Sequence, residues 1–301
     1  MDAHFQAAGF CEGTRGLNMR FSIITPSFRS SSWLKLCIAS VADQGVALEH
    51  IVQDSLSDDG TLAWLPSDTR VKAYAEKDTG MYDAVNRGLK KSSGELLAYL
   101  NCDEQYLPGT LPAVSDYFDR HPGVDVLFAD SLVVDGQGGF MCYRKVQTPN
   151  KYHTMVSHLQ TFTCSMFFRR KVIDDYGLFF DAKWRDAGDA DWVLRVLEAK
   201  VRVGILRRFT SAFTDTGANM NLSANAKKEE ALIVASAPAW ARKLRRALIW
   251  HHRLRRLLGG IYRQQPFDYS IYTLASPEKR VAFHVEKPTF VWKSRLASSF
   301  S

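Results

Sequence analysis

The first half of this chain alternates between short apolar segments typical of strands and amphipathic segments typical of helices. Residues 20–25 are rich in β-branched and aromatic side chains, and the serines at 30–32 can cap a helix that carries an apolar stripe. Further strands are predicted at 50–53, 71–75, 95–100 and 124–129, and further helices at Met81–Lys91 and from Pro108 onward. This alternation predicts an α/β fold with a doubly wound, mainly parallel sheet.

The segment 75–104, AEKDTGMYDAVNRGLKKSSGELLAYLNCDE, constrains the function most. It runs from a charged loop through a helix and a buried strand, and it ends in a polar cluster of Asn101, Asp103 and Glu104. In open α/β sheets, ligands bind outside the carboxyl ends of the strands. The segment therefore predicts a phosphate and metal site at the rim of the sheet.

Acidic and polar side chains follow several of the predicted elements. Asp54 comes after the second strand, where a carboxylate can accept a hydrogen bond from a nucleotide or can form a local Asx turn. Asp189 and Asp191 lie in the first turn of a helix, where the dipole stabilises carboxylates even without a catalytic role. The alternatives for Asn101 and Asp103 are oxygen ligation of a hard divalent cation and capping of the next helix.

The composition is that of a globular chain. Of its 301 residues 46% are hydrophobic, and five scattered cysteines without a CxxC pair indicate reduced thiols and a cytoplasmic protein. No apolar run approaches the roughly 20 residues of a membrane helix. Residues 1–18 lack the apolar core of a secretion signal and are expected to be a disordered extension. The net charge of +7 favours nucleic acid only weakly, since acidic strand ends would repel a polyanion, and no nucleic-acid partner is expected.

The basic charge is concentrated late in the chain. Between Trp240 and Arg256 there are seven arginines and lysines and no acidic residue. Apolar residues recur there at helical spacing, which predicts a basic amphipathic helix within a C-terminal extension, residues 226–301. This helix either packs against the domain of residues 19–225 or docks on an anionic membrane surface. Two hairpins are also predicted, one turning at 135–139 and one formed by 270–274 and 281–285.

Five motifs in order resemble those of the family 2 glycosyltransferases, and in particular the branch that builds bacterial capsule, exopolysaccharide and O-antigen repeat units. The motifs are SIITPSF at 22–28, DSLSDDGT at 54–61, EKDTGMYDAVNRGLK at 76–90, GELLAYLNCDE at 94–104 and DADWVLRV at 189–196. The resemblance spans 19–221 and implies a GT-A fold, a UDP- or GDP-linked sugar donor, Mn²⁺ or Mg²⁺, and inversion at the anomeric carbon. It also implies a glycan or lipid-linked acceptor, and a cytoplasmic enzyme that is peripheral on the inner face of the membrane if the basic helix docks there.

The resemblance implies a role for each matching residue. Asp189 would be the catalytic base, and Asp103 would be the metal ligand. The nucleotide sugar would be bound by Thr25, Pro26, Phe28, Asp54, Asp78, Tyr82, Asp83, Asn86, Arg87 and Asn101. The acceptor side would be lined by His158, Gln160 and Asp191. The loop 215–221 would close over the diphosphate or be an ordinary surface loop.

The sequence departs from the family pattern at three places. Asn101 replaces the first aspartate of the Asp-x-Asp metal motif, residues 55–56 replace the usual Asp/Asn-Gly pair, and Gly188 stands where many relatives carry glutamate. The alternative function is that of a non-catalytic nucleotide-sugar-binding homologue. Zinc ligation by His153 and His158 is disfavoured, because a zinc site needs closer ligand spacing and a fourth ligand.

Overall fold

The computed structural model describes residues 20–217 and 224–292. The expectation for residues 1–18, and most of the loop expected at 215–221, lie outside this part of the chain. The strands are β1 (Phe21–Ser27), β2 (Leu48–Asp54), β3 (Lys72–Ala75), β4 (Leu96–Tyr99), β5 (Glu104–Tyr106), β6 (Val126–Asp135), β7 (Phe140–Arg144), β8 (Met166–Arg169), β9 (Val203–Asp215), β10 (Phe267–Thr273) and β11 (Ser276–Val285). The helices are α1 (Ser31–Ala42), α2 (Thr61–Trp64), α3 (Met81–Lys91), α4 (Thr110–Arg120), α5 (Lys151–Val156), α6 (Lys171–Asp174), α7 (Gly188–Glu198), α8 (Ala224–Ser236), α9 (Ala239–Lys243) and α10 (Arg245–Leu258).

Nine of these strands form one sheet in the order β3-β2-β1-β4-β8-β6-β9-β5, and β7 pairs with β6 beside this path. The first four strands are parallel, as are β6 and β9, whereas β8 runs antiparallel to β4 and β6. The predicted α/β sheet is confirmed. Because β1, β2 and β4 are parallel neighbours, their carboxyl ends meet at one edge of the sheet, where Ser27 lies opposite Asp54.

Helices cover both faces of the sheet. On one face, α3 and α7 pack on the strands through Val85, Leu89 and Trp192, and on the other face α1 and α4 do so through Cys37 and Phe118. Neighbouring residues of β4 point to opposite faces, as the pleat of a strand requires. This burial on both sides explains why the central strands are almost uniformly apolar.

Helix α3 has the predicted bounds and lies unusually close to β1. A Cβ atom at Gly88 would lie 2.5 Å from the Cγ2 atom of Ile24, so only glycine permits this approach. The close packing fixes the start of α3, and with it Tyr82, relative to the carboxyl end of β1.

The C-terminal segment packs on the sheet domain. The two predicted hairpins are confirmed as β6–β7 and β10–β11. The second contacts the sheet through Gln105, whose side-chain amide exchanges hydrogen bonds of 2.8 and 2.9 Å with the backbone of Tyr272. Helices α8 to α10 lie against α5. Within residues 20–217 and 224–292, no helix is both long and apolar enough to cross a bilayer.

Candidate active site

The carboxyl end of β2 carries Asp54, which is fully buried. Its carboxylate accepts hydrogen bonds from the Ser27 hydroxyl at 2.8 Å, the Ser57 hydroxyl at 2.8 Å and the Ser57 backbone N–H at 2.7 Å. These contacts close the loop after β2, so the local turn expected as the alternative role is present. The nucleotide-binding role of Asp54 stays a prediction.

An aromatic ring stands exposed beside this loop. Phe28 follows β1 and is 49% exposed, with the Arg29 guanidinium 5.0 Å and the Lys77 ammonium 5.5 Å from its ring centroid. Arg29 is also paired with Asp58 at 2.6 Å. An exposed ring can stack on a planar base, and nearby cations attract phosphate groups. The surface at the end of β1 therefore has the chemistry of a nucleotide site.

The turn between β4 and β5 holds three oxygen-bearing side chains. The Glu104 carboxylate accepts the backbone N–H of Asn101 at 2.8 Å, which tightens the turn and leaves Asp103 at its tip. Burial raises the pKa of Asp103, and burial together with the charge of Asp103 raises the pKa of Glu104 to about 8. Two acidic groups thus lie close together in a poorly solvated turn, and no basic side chain lowers the pKa of either one.

This turn fits a hard cation. The Oδ1 atom of Asn101 and the Oε1 atom of Glu104 are buried and accept no hydrogen bond. No donor from another described residue reaches the Asp103 carboxylate. Hard divalent cations prefer such carboxylate and amide oxygens, and the positive charge would relieve the repulsion between the two carboxylates.

The buried thiol of Cys102 connects the β4–β5 turn to the end of β1. Cys102 donates a hydrogen bond to the Pro26 carbonyl at 3.2 Å, which ties the β4–β5 turn to the end of β1. Burial raises the pKa of the Cys102 thiol well above its usual range, and the carboxylates of Asp103 and Asp54 raise it further. Both carboxylates therefore lie within electrostatic reach of one sulfur atom.

Asp189 lies in the first turn of α7, as predicted. Its backbone N–H donates to the Tyr82 hydroxyl at 3.1 Å, and its carboxylate accepts the N–H of Ala190 at 2.8 Å. Burial raises the pKa of Asp189 to about 6. A carboxylate with such a pKa can take a proton near neutral pH and still be ionised before it does so.

Packing against Tyr82 explains why the residue before Asp189 is a glycine. A Cβ atom at Gly188 would lie 2.5 Å from the Cε2 atom of Tyr82, inside the ring's van der Waals contact. The larger residue found in many relatives would push α7 away from α3. The departure from the family pattern at Gly188 is thus matched by the position of Tyr82.

A second tyrosine connects Asp189 with the β4–β5 turn. Burial raises the pKa of the Tyr99 hydroxyl well above its usual range, and the charges of Asp189 and Glu104 raise it further. The start of α7 and the turn after β4 therefore converge on one hydroxyl at the end of β4. With Cys102, this places the three acidic ends along one edge of the sheet.

Three of the residues expected to contact the donor make contacts inside the fold. Tyr82 is 2% exposed and stacks on Phe180 at a centroid distance of 5.6 Å. Asn86 uses its amide to bond both the carbonyl and the N–H of Phe180, at 2.7 and 3.0 Å. The Thr25 hydroxyl is fully buried and bonds His50 at 2.8 Å. Each of these side chains makes its contacts inside the fold, and the prediction that they face a nucleotide sugar stays a prediction.

The charged residues of α3 pair with one another. Arg87 contacts Asp83 at 3.0 Å and Glu76 at 3.7 Å, and Asp83 also accepts the N–H of Thr79 at 3.0 Å. The Asp78 carboxylate accepts the N–H of Gly80 at 3.0 Å, which shapes the loop before α3. A donor phosphate would have to compete with two carboxylates for Arg87.

Pro26 is buried at the end of β1.

The sequence reasoning missed Glu229 on α8. Its buried carboxylate accepts three successive backbone N–H groups, those of Arg185 and Asp186 at 2.9 Å and of Ala187 at 2.8 Å, together with the Asn225 amide at 3.0 Å. Although burial alone would raise its pKa, these donors hold the pKa of Glu229 below its usual value. Glu229 therefore fixes the loop that leads into α7 and Asp189, and no local pattern around it signals this contact.

The residues assigned to the acceptor side lie in two places. Asp191 is paired with Arg195 at 2.8 Å on the surface of α7. His158 and Gln160 lie after α5, in a cluster with His153 and His252. Their acceptor role stays a prediction.

Known proteins share both the sequence and the fold. The family model described as glycosyl transferase family 2 matches residues 22–177. A PGL/p-HBAD biosynthesis glycosyltransferase of Mycobacterium tuberculosis (strain ATCC 25177 / H37Ra) is 31% identical over 186 residues, which are 58% of this chain and 68% of that protein. The minor teichoic acid biosynthesis protein GgaB of Bacillus subtilis is 24% identical over 214 residues, which cover 64% of this chain but only 23% of that protein.

The solved structures agree on the fold. Staphylococcus aureus TarS 1–349 in complex with UDP-GlcNAc has a TM-score of 0.58 at 18% identity, over 80% of this chain and 73% of that one. The mannosyltransferase PcManGT of Pyrobaculum calidifontis, in complex with GDP-Man and Mn²⁺, has a TM-score of 0.50 at 14% identity, over 80% and 79%. The predicted GT-A fold is confirmed by the match to TarS. With a family model that covers more than half of its length, this chain belongs to glycosyl transferase family 2.

Proposed function

We propose that this chain is an inverting glycosyltransferase that moves a sugar from a nucleotide-diphosphate donor to a hydroxyl group of a glycan or lipid-linked acceptor in bacterial surface polysaccharide synthesis. The observation that carries the proposal is the position of Asp54 and Asp103 at the carboxyl ends of the parallel strands β2 and β4, which flank β1, with Asp189 joined to the start of α3 through Tyr82. Their surroundings differ. Asp54 lies in a turn closed by hydrogen bonds, Asp103 lies in a turn with buried oxygens that accept no hydrogen bond, and Asp189 lies at a helix start, where its pKa is raised. Three such environments suit the three tasks of base binding, leaving-group stabilisation and proton removal.

The donor would lie with its base at the end of β1 and β2. Phe28 offers a stacking face there, and Lys77 brings a positive charge toward the diphosphate. The names of the structural relatives include UDP-GlcNAc and GDP-Man, which support a UDP- or GDP-linked sugar as the class of donor. Asp54 would hold the loop and meet the base at the inner end of this surface.

A divalent cation, Mn²⁺ or Mg²⁺, would be held at the β4–β5 turn by Asp103 with the amide oxygen of Asn101. The chemistry that such a cation supplies is neutralisation of the charge on a departing diphosphate. The unpartnered oxygens of the turn support this assignment, as does the Mn²⁺ named with PcManGT.

Asp189 would act as the general base. Its carboxylate would take the proton of the acceptor hydroxyl while that oxygen forms a bond to the anomeric carbon. The bond from this carbon to the diphosphate breaks on the opposite face, so the nucleoside diphosphate leaves and the configuration inverts. General-base catalysis contributes roughly 10²–10⁴-fold.

Helix α10 would dock the enzyme on an anionic membrane surface, where lipid-linked acceptors lie. Its outward side carries Trp250, Leu254, Leu257 and Leu258, each between 51% and 79% exposed, with arginines such as Arg253 between them. The inward side instead packs through the buried His252. Exposed apolar groups beside basic ones are the pattern of helices that lie in a lipid interface.

A donor screen tests the proposed function. The protein is incubated with Mn²⁺ or Mg²⁺ and a panel of UDP- and GDP-sugars, and release of the nucleoside diphosphate is measured without an acceptor. We expect slow hydrolysis of one donor that is lost in Asp103→Ala. Donor binding without release across the panel, with acceptors present as well, would instead support the non-catalytic binding homologue.

A further inference from the structure

Three histidines from two distant parts of the chain meet beside α5. His153 lies on α5, His158 follows it, and His252 comes from α10. One ring nitrogen of each can be chosen so that all three lie within 4.8 Å of one another. The ring centroids of His153 and His252 are only 4.2 Å apart. A cluster of imidazoles this tight brings three good transition-metal ligands to one point.

The two inner histidines have nitrogen atoms without partners. His153 is 2% exposed and His252 is 5% exposed. The Nε2 atom of His153 and both ring nitrogens of His252 are buried and make no hydrogen bond. Leaving such groups unpaired in the interior is unfavourable, so a ligand that satisfies them is expected.

The Nδ1 atoms of His153 and His158 each have a hydrogen-bond partner. The Gln160 amide lies 2.5 Å from Nδ1 of His153, and the Ser157 hydroxyl lies 2.9 Å from Nδ1 of His158. The amide nitrogen of Gln160 faces this ring and donates to Nδ1. Metal binding through Nε2 therefore requires the amide to turn its oxygen toward the ring, so that Nδ1 keeps the proton and Nε2 has the lone pair. Such outer partners orient metal-ligating imidazoles in proteins.

The space at the cluster suits one ion. A cavity of about 10 Å³, roughly the room for one water-sized sphere, opens beside the cluster and is lined by His158, His252 and Gln160, but not by His153. An unprotonated imidazole nitrogen that makes no hydrogen bond can donate its lone pair to a metal.

We propose that His153, His158 and His252 form a transition-metal site of the zinc class, separate from the donor site and independent of the proposed function. Zinc–nitrogen bonds of about 2.0–2.1 Å place tetrahedral ligands about 3.3 Å apart, so the three rings close in slightly on binding. Water completes the coordination. The metal cross-links α10 to α5 and holds the basic helix with its apolar side outward.

Basic side chains oppose the metal without excluding it. The cavity is also lined by Arg144, Lys145 and Arg256, and Arg255 lies close enough to lower the pKa of His153. Their charge weakens the attraction for a cation, so the affinity is expected to be lower than that of zinc sites surrounded by carboxylates.

The test uses the untagged full chain after removal of metal by a chelator. Zn²⁺ binding is measured by calorimetry, and Co²⁺ is added as a probe because nitrogen-coordinated tetrahedral cobalt absorbs visible light far more strongly than octahedral cobalt bound by oxygens. Asp103→Ala is the background, so that binding at the β4–β5 turn does not contribute. We expect one Zn²⁺ per chain, the intense cobalt band, and a higher melting temperature with Zn²⁺.

The variants are His252→Leu and His251→Leu, which make the same change on the buried and exposed sides of α10. His252→Leu should lower zinc affinity at least about 100-fold, since loss of an outer partner alone costs about 10–100-fold. His251→Leu should keep it. If His252→Leu fails to fold, His153→Leu replaces it. Absence of zinc binding to the background protein, or equal binding by the two α10 variants, would overturn the proposal.

Discussion

The hydroxyl oxygen of Tyr82 lies 3.1 Å from the backbone nitrogen of Asp189 and accepts its hydrogen bond. The two residues are far apart in sequence, and the bond joins the start of α3 to the start of α7. Tyr82 also fills the space that Gly188 leaves open. The position of the proposed general base therefore depends on a side chain that the sequence assigns to the donor.

Tyr82→Phe should impair catalysis more than donor binding. The change leaves the Asp189 N–H without its acceptor and allows the carboxylate to shift, which we expect to lower kcat by about 10–100-fold with little change in the donor KM. The free energy of unfolding should fall by about 1 kcal/mol. Steady-state kinetics and thermal unfolding measure both effects.

Tyr106→Phe is the matched control for this variant. It removes a buried hydroxyl that has no hydrogen-bond partner among the described residues. Kinetics and stability should stay close to those of the unaltered chain. Equal effects of the two substitutions would argue against a positioning role for Tyr82.

Glu229→Gln should loosen the loop before α7. The carboxylate accepts three backbone N–H groups, whereas an amide has one acceptor oxygen and would turn donors toward the remaining groups. We expect a loss of about 1.5–3 kcal/mol in stability and a lower kcat. The adjacent, exposed Glu230→Gln is the control, and similar behaviour of both variants would count against the assignment.

The same carboxylate predicts a pH effect on stability. The folded-state pKa of Glu229 lies below its usual 4.5. The stability that ionised Glu229 contributes is therefore fully present above pH 4.5, and it is lost as the pH falls through the lower pKa of the folded state. Unfolding measured from pH 7 down to pH 3 should show a smaller acid-induced loss of stability in Glu229→Gln than in the Glu230→Gln control.

Asn101→Asp should strengthen metal binding. A second carboxylate at the β4–β5 turn raises the ligand charge, and we expect the Kd for Mn²⁺ to fall roughly tenfold. Without metal the variant should be less stable, because the added charge joins Asp103 and Glu104 in a site where burial already raises both pKa values. Calorimetry with Mn²⁺, and unfolding with and without a chelator, measure the two effects. An unchanged or higher Kd would place the cation elsewhere.

Membrane docking predicts a loss of vesicle binding on removal of the outward apolar groups of α10. Trp250→Ser combined with Leu257→Ser should reduce flotation with phosphatidylglycerol-containing vesicles, and high salt should weaken binding of the unaltered chain. Leu274→Ser, at an exposed leucine of the second hairpin, is the control. Failure of the unaltered chain to float at low salt would contradict the docking role.

The elements that the sequence predicts well depend on local signals. Met81–Lys91 has a helical apolar stripe between a glycine and a serine-rich turn, and the structure has the same bounds. The glycine-rich stretch after Asp135 predicted the β6–β7 hairpin, which is present. The acidic ends at Asp103 and Asp189 followed from the rule that strand and helix ends form the rim of such a sheet.

Contacts between residues that are distant in sequence could not be predicted from local patterns. Asn86 matches a family motif, but its amide bonds to Phe180, 94 residues away. Glu229 and His252 meet partners more than 40 residues away, and neither has a local pattern that marks it. The apolar stripe of the basic helix was also visible, yet periodicity alone could not tell that Leu254 and Leu258 face outward.

The raised pKa of Asp189 predicts the pH profile of the reaction. A general base works only when deprotonated, so activity should be half-maximal near pH 6, approach its full value about one pH unit higher, and decline as the pH falls. The folded state holds this proton more tightly than a carboxyl of ordinary pKa 3.8, so the ionised side chain destabilises the fold at neutral pH. Asp189→Asn should therefore raise stability at pH 7 by about 1–3 kcal/mol, as thermal unfolding would show.

The most direct measurement compares Asp189→Asn with the unaltered chain in donor binding and in sugar transfer, once the donor screen has identified the donor. The account predicts a donor Kd within about threefold of the original value and a loss of transfer of at least about 10²-fold, because the base is lost and the donor surface is untouched. Full transfer activity in Asp189→Asn would contradict the central claim that Asp189 removes the acceptor proton.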